Sequence, residues 1–442
     1  MDRASRRRSP LVRMLSPLRD FLDTEASGAV LLAAGAGIAL IWANSPWSQS
    51  YEDLWNSRAA ITVAGHTLDL DIRHWINDGL MTVFFLIVGL EIKRELSDGH
   101  LSSRRAALLP AAAALGGMIA PALVYLAIAG STSPRGWAIP MATDIALAVG
   151  VLTVAGSRIP ASLRAFLLGL AIVDDIGAIL IIAVVYSTGV SVGWLAASVG
   201  GVAATIAVKR LGVHSTWLYV VIGTTVWLCL HEAGVHPTIA GVLMGLLAPS
   251  TPRFSPELID GDQLVDLSDA EAVRATTEIA KGSVSVVEWL QHILHPWTSY
   301  VIVPLFALAN SGIVISAEGL RGAASSPVTW GVFCGLAAGK PLGVVLATRA
   351  TVRAGLADTP HGSTRRQMLG IGSTAGIGFT VALFITELAL ADPADRSHAK
   401  MAILGASVLS AIVGSVILTR PRSAEQRVLG GREPLGEFGG SG

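Results

Sequence analysis

Twelve apolar runs, most of them near the length that crosses a bilayer, govern what this 442-residue chain can become. A hydrocarbon core of about 30 Å needs about 20 apolar residues in an α-helix. The runs fall near residues 26–44, 76–92, 106–129, 136–154, 161–186, 191–208, 214–230, 235–249, 289–314, 327–348, 367–390 and 400–419. Lipid offers no partner for backbone N–H and C=O groups, so such runs must close their hydrogen bonds internally, as helices. With 52% hydrophobic and 14% charged residues, the chain lies outside the composition of a soluble globular domain. The expectation is an all-α polytopic membrane protein of twelve transmembrane helices.

Lys and Arg set the orientation, because short loops rich in them stay on the cytoplasmic side. With the N-terminus inside, the inner segments hold 25 basic residues and the outer ones 6 (Arg58, Arg73, Arg135, Arg321, Arg396 and Lys400), with Lys340 left within a run. Both termini are therefore expected in the cytoplasm, the first run acting as a retained signal anchor of a plasma (inner) membrane protein. Three parts follow: a basic N-terminus (1–20) suited to anionic lipid of the bilayer, a helical domain (21–420) interrupted by a polar cytoplasmic loop at 250–286, and a Gly-rich, charged tail (421–442) expected to be disordered. Cys229 and Cys334 both lie in apolar runs and suggest neither a disulfide framework nor a cysteine metal site. Zero net charge and no basic stripe beyond the inner loops speak against a nucleic-acid partner.

Four ionisable residues, Asp144, Asp174, Asp175 and Lys340, interrupt runs that are otherwise apolar. A charge at the centre of a membrane helix costs about 2.5–3.5 kcal/mol on insertion scales, which makes each one a candidate functional group with a partner nearby. Asp174 and Asp175 are consecutive, so on a helix of 3.6 residues per turn they point about 100° apart. One can line a water-filled funnel while the other meets a cation, and Lys340 in GLAAGKPLGVV is the available one. A charge-neutralising ion pair without a transport role is the alternative for Asp174 and Lys340.

Pro140 lies four residues before Asp144, and proline removes a helical hydrogen bond and clashes with the preceding turn. A matching weak point is GIGSTAGIGFT at 370–380, glycine-rich within an apolar run. Irregular backbone at membrane depth is tolerated where it is enclosed by protein or lines a cavity. Asp144 could offset the half-helix N-termini, and Thr143 could supply a hydroxyl oxygen or simply bond to its own helix. Na⁺ is a hard cation that favours oxygen ligands. A carboxylate must shed its proton before it can ligate one, so H⁺ and Na⁺ compete for such a site.

The strings FFLIVGLEIKREL (84–96), PMATDIALAVGVL (140–152), LAIVDDIGAI (170–179), GVHPTIAGVLMG (234–245), HPWTSYVIVPLFALANSGI (295–313), GKPLG (339–343) and GIGFT (376–380) together resemble the NhaA-type sodium/proton antiporters over residues 20–420. The resemblance implies inverted repeats and two crossed, partly unwound helices at mid-membrane; NhaA is itself a standard example of the rule that paired interrupted spans mark a transporter's ion site. It further implies exchange of cytoplasmic Na⁺ or Li⁺ for external H⁺, with more protons than sodium ions per cycle and no cofactor. Asp174 and Asp175 match the family's essential aspartate pair and candidate Na⁺ or Li⁺ ligands, Asp144 and Thr143 its unwound-helix site, and Lys340 its intramembrane lysine, paired with Asp174.

A second group reads as regulatory. Glu91, Arg94 and Glu95 end the second run, while Glu288, His292 and His295 begin the ninth, near one predicted membrane face. Histidine changes charge between about pH 5 and 8, which suits a pH sensor; an interfacial network that stabilises the face is the equal alternative. Gln291 stands where some family members carry a titratable glutamate, and His236 matches a position tied to pH response in the family. Alternating runs around AGHT, ITV before and LDLDI after, predict a small external β-hairpin. In the family such a hairpin pairs two protomers, which implies a homodimer. An intramembrane aspartyl protease lacks its GxGD-type string here, a passive channel would not need the buried Asp and Lys pair, and a proton-coupled carrier of another solute is the remaining alternative.

Overall fold

A computed structural model of the chain describes residues 26–63, 66–97, 99, 103–156, 159–187, 189–213, 215–250 and 285–420. The basic N-terminus, nearly all of the 250–286 loop and the C-terminal tail lie outside the described residues. The helices are α1 (Ala26–Ala43), α2 (Ser48–Asn56), α3 (Met81–Ser97), α4 (Arg104–Ala129), α5 (Ile145–Ala155), α6 (Ala161–Val185), α7 (Val192–Arg210), α8 (Thr216–Glu232) and α9 (Thr238–Leu247). After the loop come α10 (Val286–Trp297), α11 (Val303–Asn310), α12 (Ala317–Ser325), α13 (Pro327–Cys334), α14 (Lys340–Arg353), α15 (Arg365–Ala375), α16 (Phe379–Ala389) and α17 (Pro393–Thr419).

Among the described residues, eight continuous helical stretches are long and apolar enough to cross a membrane: Ile72–Ser97, Arg105–Ala129, Pro134–Ala155, Ala161–Val185, Val192–Arg210, Val286–Asn310, Pro327–Arg353 and Pro393–Thr419. Two bent pairs bring the number to ten at most: α1 with α2, at 116°, and α15 with α16, at 43°. The apolar helices α8 and α9 are shorter. The chain is thus a mostly helical, multi-pass membrane protein.

Several of these stretches join through widened, π-helical turns at Trp75–Leu80, Thr298–Ile302 and Gly335–Gly339. The last two run directly into Pro304 and Pro341, whose rings supply no N–H and clash with the turn behind them, so the ladder opens there. Close helix approach relies on small residues, since lipid supplies no hydrophobic drive between helices. On α9, Gly241 and Gly245 face α3, where a methyl on Gly89 would lie 2.6 Å from the Val242 carbonyl oxygen. On α14, a methyl on Gly343 would lie 2.7 Å from the Ala120 methyl of α4.

Two large apolar clusters fill the interior. One gathers Phe85, Tyr125, Phe306 and Phe384; the other gathers Leu163, Leu167, Leu170, Val344 and Ile371. Helix α6 feeds the second with its first half and the first with Ile172, Ala178, Ile179 and Ile182, so Asp174 and Asp175 sit at the seam.

One two-stranded antiparallel sheet is described, β1 (Arg58–Val63) with β2 (His66–Asp71), in the register Ile61↔Leu68 and Val63↔His66. This is the hairpin that the alternation around AGHT predicts, begun three residues earlier at Arg58. The helix before it, α2, was not apparent in the sequence. Its Tyr51 hydroxyl lies 2.8 Å and 3.0 Å from the Leu308 and Ala309 carbonyls and accepts from the Gly312 N–H at 3.1 Å, tying the hairpin's root to the end of α11.

Candidate ion-binding site

The two weak points foreseen at Pro140 and in the glycine run are breaks, and they meet. Helical geometry stops at Met141 and resumes at Ile145; the second break spans Gly376–Gly378 between α15 and α16. Each supplies the other's missing hydrogen bonds. The Asp144 N–H donates to the Ile377 carbonyl at 2.6 Å, and the Thr143 hydroxyl donates to the Ala375 carbonyl at 3.0 Å. Glycine is required at this crossing: a methyl on Gly378 would stand 2.8 Å from the Ala142 carbonyl oxygen.

Asp144 closes two helix starts at once. Its Oδ1 accepts from the Leu147 N–H at 3.0 Å, capping α5, while its Oδ2 accepts from the Thr380 N–H at 3.0 Å and the Thr380 hydroxyl at 2.7 Å in the first turn of α16. A carboxylate is favoured there because helix N-termini carry unpaired N–H groups and partial positive charge. The sequence reading gave Thr380, the last residue of GIGFT, no role; the signal that marks it is a hydroxyl in the first turn of a helix that restarts after a glycine break.

Lys340 is wholly buried and Asp174 is 1% exposed, and they form an ion pair at 2.6 Å. The lysine Nζ also donates to the carbonyl of Met141, an acceptor freed by the first break. Lys340 thus fastens the α6 carboxylate to broken backbone. The widened turn before it touches both breaks, since a methyl on Gly335 would lie 2.7 Å from Pro140 and the Leu336 side chain abuts Gly378. Asp174 Oδ1 is buried without a hydrogen-bond partner of ordinary geometry, with Thr143 nearby.

Asp175 is 5% exposed and makes no direct hydrogen bond among the described residues, although it lies within electrostatic reach of Asp174, Glu91, Lys340 and Asp144. Buried carboxyl groups are normally hydrogen-bonded, so one that is not asks for a ligand, water or proton. Among the described residues, three His, Cys, Asp or Glu side chains do not converge as a metal cluster. Beside Asp174 stand instead the Thr143 hydroxyl and, bridged by Lys340, the Met141 carbonyl.

Of the regulatory candidates, the structure brings Glu91 toward Asp175, and Arg94 lies close to Glu91 on the same helix. Helix α10 packs against α3. Glu288 belongs to the α10 cap, its N–H donating to the Ser285 hydroxyl at 3.2 Å, and His292 and His295 are exposed, as Glu95 is half-buried on α3. Gln291 is buried with its side-chain oxygen unpartnered. His236 is elsewhere, at the hairpin end of the molecule, bonded to the Thr238 hydroxyl at 3.1 Å and packed on the Phe384 ring.

A family described as "Na+/H+ antiporter 1" matches residues 19–418. The chain belongs to this family. Relatives named "Na(+)/H(+) antiporter NhaA 2" occur in Sorangium cellulosum, 44% identical over 93% of this chain and 92% of that protein, and in Myxococcus xanthus, 44% identical over 92% and 91%. A relative named "Na(+)/H(+) antiporter NhaA 3" in Frankia alni is 42% identical over 96% and 91%. The resemblance read from the seven strings therefore holds across the whole family domain. Members of the Na+/H+ antiporter family are transporters and not enzymes.

Proposed function

We propose that the chain exchanges Na⁺ or Li⁺ for H⁺ across a membrane, with Asp175 as the group for which cation and proton compete. The observation that carries this reading is the partnerless, buried Asp175 carboxyl beside the Asp174–Lys340 pair. Deprotonated, Asp175 attracts a cation, to which Thr143 and the carbonyls released at the breaks add oxygen ligands. Protonated, it is neutral and repels none of its acidic neighbours. Asp174 is coupled to it: when a proton or cation neutralises Asp174, Lys340 loses its counter-charge, so the two carboxyls and the lysine titrate as a unit. Two carboxyls serving one Na⁺ support electrogenic exchange, more than one H⁺ per cation. Exchange follows when the empty, unprotonated site does not reorient.

The finer architecture belongs to the same proposal: twelve spans, counting both bent pairs and the two short helices, in two inverted repeats whose interrupted members cross at Asp144 and Ile377. The distribution of basic residues supports termini on the cytoplasmic face of the inner membrane. Glu91, reaching Asp175 from α3, supports pH regulation by the cluster of Glu91, Arg94, Glu95, Glu288, His292 and His295. The exposed β1–β2 hairpin supports a homodimer, which crosslinking between hairpins would reveal. No cofactor is needed, since the ions are cargo.

Proteoliposomes acidified inside and carrying a pH dye test the function. Addition of Na⁺ or Li⁺ outside alkalinises the lumen for the wild type and not for Asp175→Asn; lumenal pH indifferent to both cations at every external pH contradicts the proposal.

A further inference from the structure

The second break has two sides. Toward the ion site its carbonyls are taken, Ala375 by the Thr143 hydroxyl and Ile377 by the Asp144 N–H. On the other side, Gly376 backs onto α17 and onto the widened turn that leads to Lys340. A methyl on Gly376 would lie 2.5 Å from the Leu336 carbonyl oxygen and 2.8 Å from the Ser410 hydroxyl oxygen, so both oxygens converge on a bare Cα.

Neither oxygen has the partner that its own helix would supply. In the widened turn the Lys340 N–H donates to the Gly335 carbonyl, five residues back. The next donor in that register is Pro341, which has no N–H to give to Leu336. Ser410 is 3% exposed and Ser407 6%, and neither hydroxyl has a hydrogen-bond partner among the described residues. A hydroxyl inside a helix can close on a carbonyl of the preceding turn. Ser373 and Thr374 of α15 do so, on Leu369 and Gly370, and the two serines of α17 do not.

The sequence places the serines for this. They stand three residues apart, hence on one helical face, and that face is the buried stripe of α17 that continues through Gly414 to Leu418. The same stripe meets α15 one turn further on, where a methyl on Gly414 would lie 2.6 Å from the Thr374 hydroxyl oxygen. A buried polar group left unpaired costs about 1–3 kcal/mol. Two hydroxyl donors beside one carbonyl acceptor match a buried water, which makes about three hydrogen bonds.

We propose that Ser407 and Ser410 hold a buried water that accepts from their hydroxyls and donates to the Leu336 carbonyl, tying the Lys340 turn to the second break. Both ends of that tie reach the ion site. Leu336 stands about one turn before Lys340, the partner of Asp174, and Gly376 stands between the two carbonyls that hold Thr143 and Asp144. The water keeps these groups in register, so Ser407 and Ser410 are positioning residues that act through backbone they do not share. The role in transport rests on the antiport reading above.

The test joins a structure to kinetics. Wild type and the double variant Ser407→Ala with Ser410→Ala are imaged at a resolution that shows ordered water, and both are assayed in proteoliposomes for Na⁺/H⁺ exchange over a range of Na⁺ concentrations. The expected result is a water between the Ser410 hydroxyl and the Leu336 carbonyl in the wild type and none in the variant. Loss of the tie raises KM for Na⁺ about tenfold, with the maximal rate within about twofold of wild type. Ser410→Thr, which keeps the hydroxyl, retains the wild-type KM. Wild-type serines closed on the Ile403 and Ala406 carbonyls with no water beside them, or a double variant with the wild-type KM, overturn the proposal and leave the antiport reading intact. Wild-type protein that holds the water but moves no protons with Na⁺ or Li⁺ overturns the antiport reading and, with it, the positioning role.

Discussion

Lys340 shows how a single side chain can be both expensive and indispensable. An ammonium group stripped of water is tolerated because it meets a carboxylate at 2.6 Å and a backbone carbonyl. Removing one member of such a pair leaves the other buried and unmatched, at a cost of about 3–5 kcal/mol, whereas removing both charges is far milder. Lys340→Ala is accordingly expected to lose about that much stability in detergent, and Lys340→Met with Asp174→Asn to regain most of it. Denaturation midpoints measure this, and a double variant no more stable than Lys340→Ala contradicts it.

At the scale of elements, the bilayer's demand for closed hydrogen bonds made the helices legible and left their breaks as the informative exceptions. Proline at 140 and glycines at 376 and 378 announced both interruptions, because their backbone effects are local. What met at those breaks was less visible. The Thr380 hydroxyl on Asp144 and the Met141 carbonyl on Lys340 depend on residues up to 236 positions apart, which only the packing brings together. Helix α2, amphipathic and short, gave no apolar run to find. Close packing yields its own test. Gly343 faces Ala120 across α4 and α14, so Gly343→Leu overpacks that interface and is expected to cost about 1–3 kcal/mol or more. Gly37 on α1 has open space around it, and Gly37→Leu should leave the melting temperature unchanged. Equal losses in the two variants, read by thermal unfolding in detergent, would remove the packing argument.

In the whole molecule, the buried ionic residues gather in one place: a seam between two apolar clusters, where two broken helices complete one another. Asp174, Asp175, Asp144 and Lys340 could be picked from the sequence because membrane-embedded charge is rare. On the proposed function, Na⁺ and H⁺ compete for the buried Asp175 carboxyl. The most direct measurement is proton release into weakly buffered solution when Na⁺ or Li⁺ is added to purified, detergent-solubilised protein. The wild type should release protons on adding Na⁺ or Li⁺ and not on adding K⁺, and Asp175→Asn should release none. Na⁺ binding by the wild type with no proton release at any pH would contradict competition at Asp175.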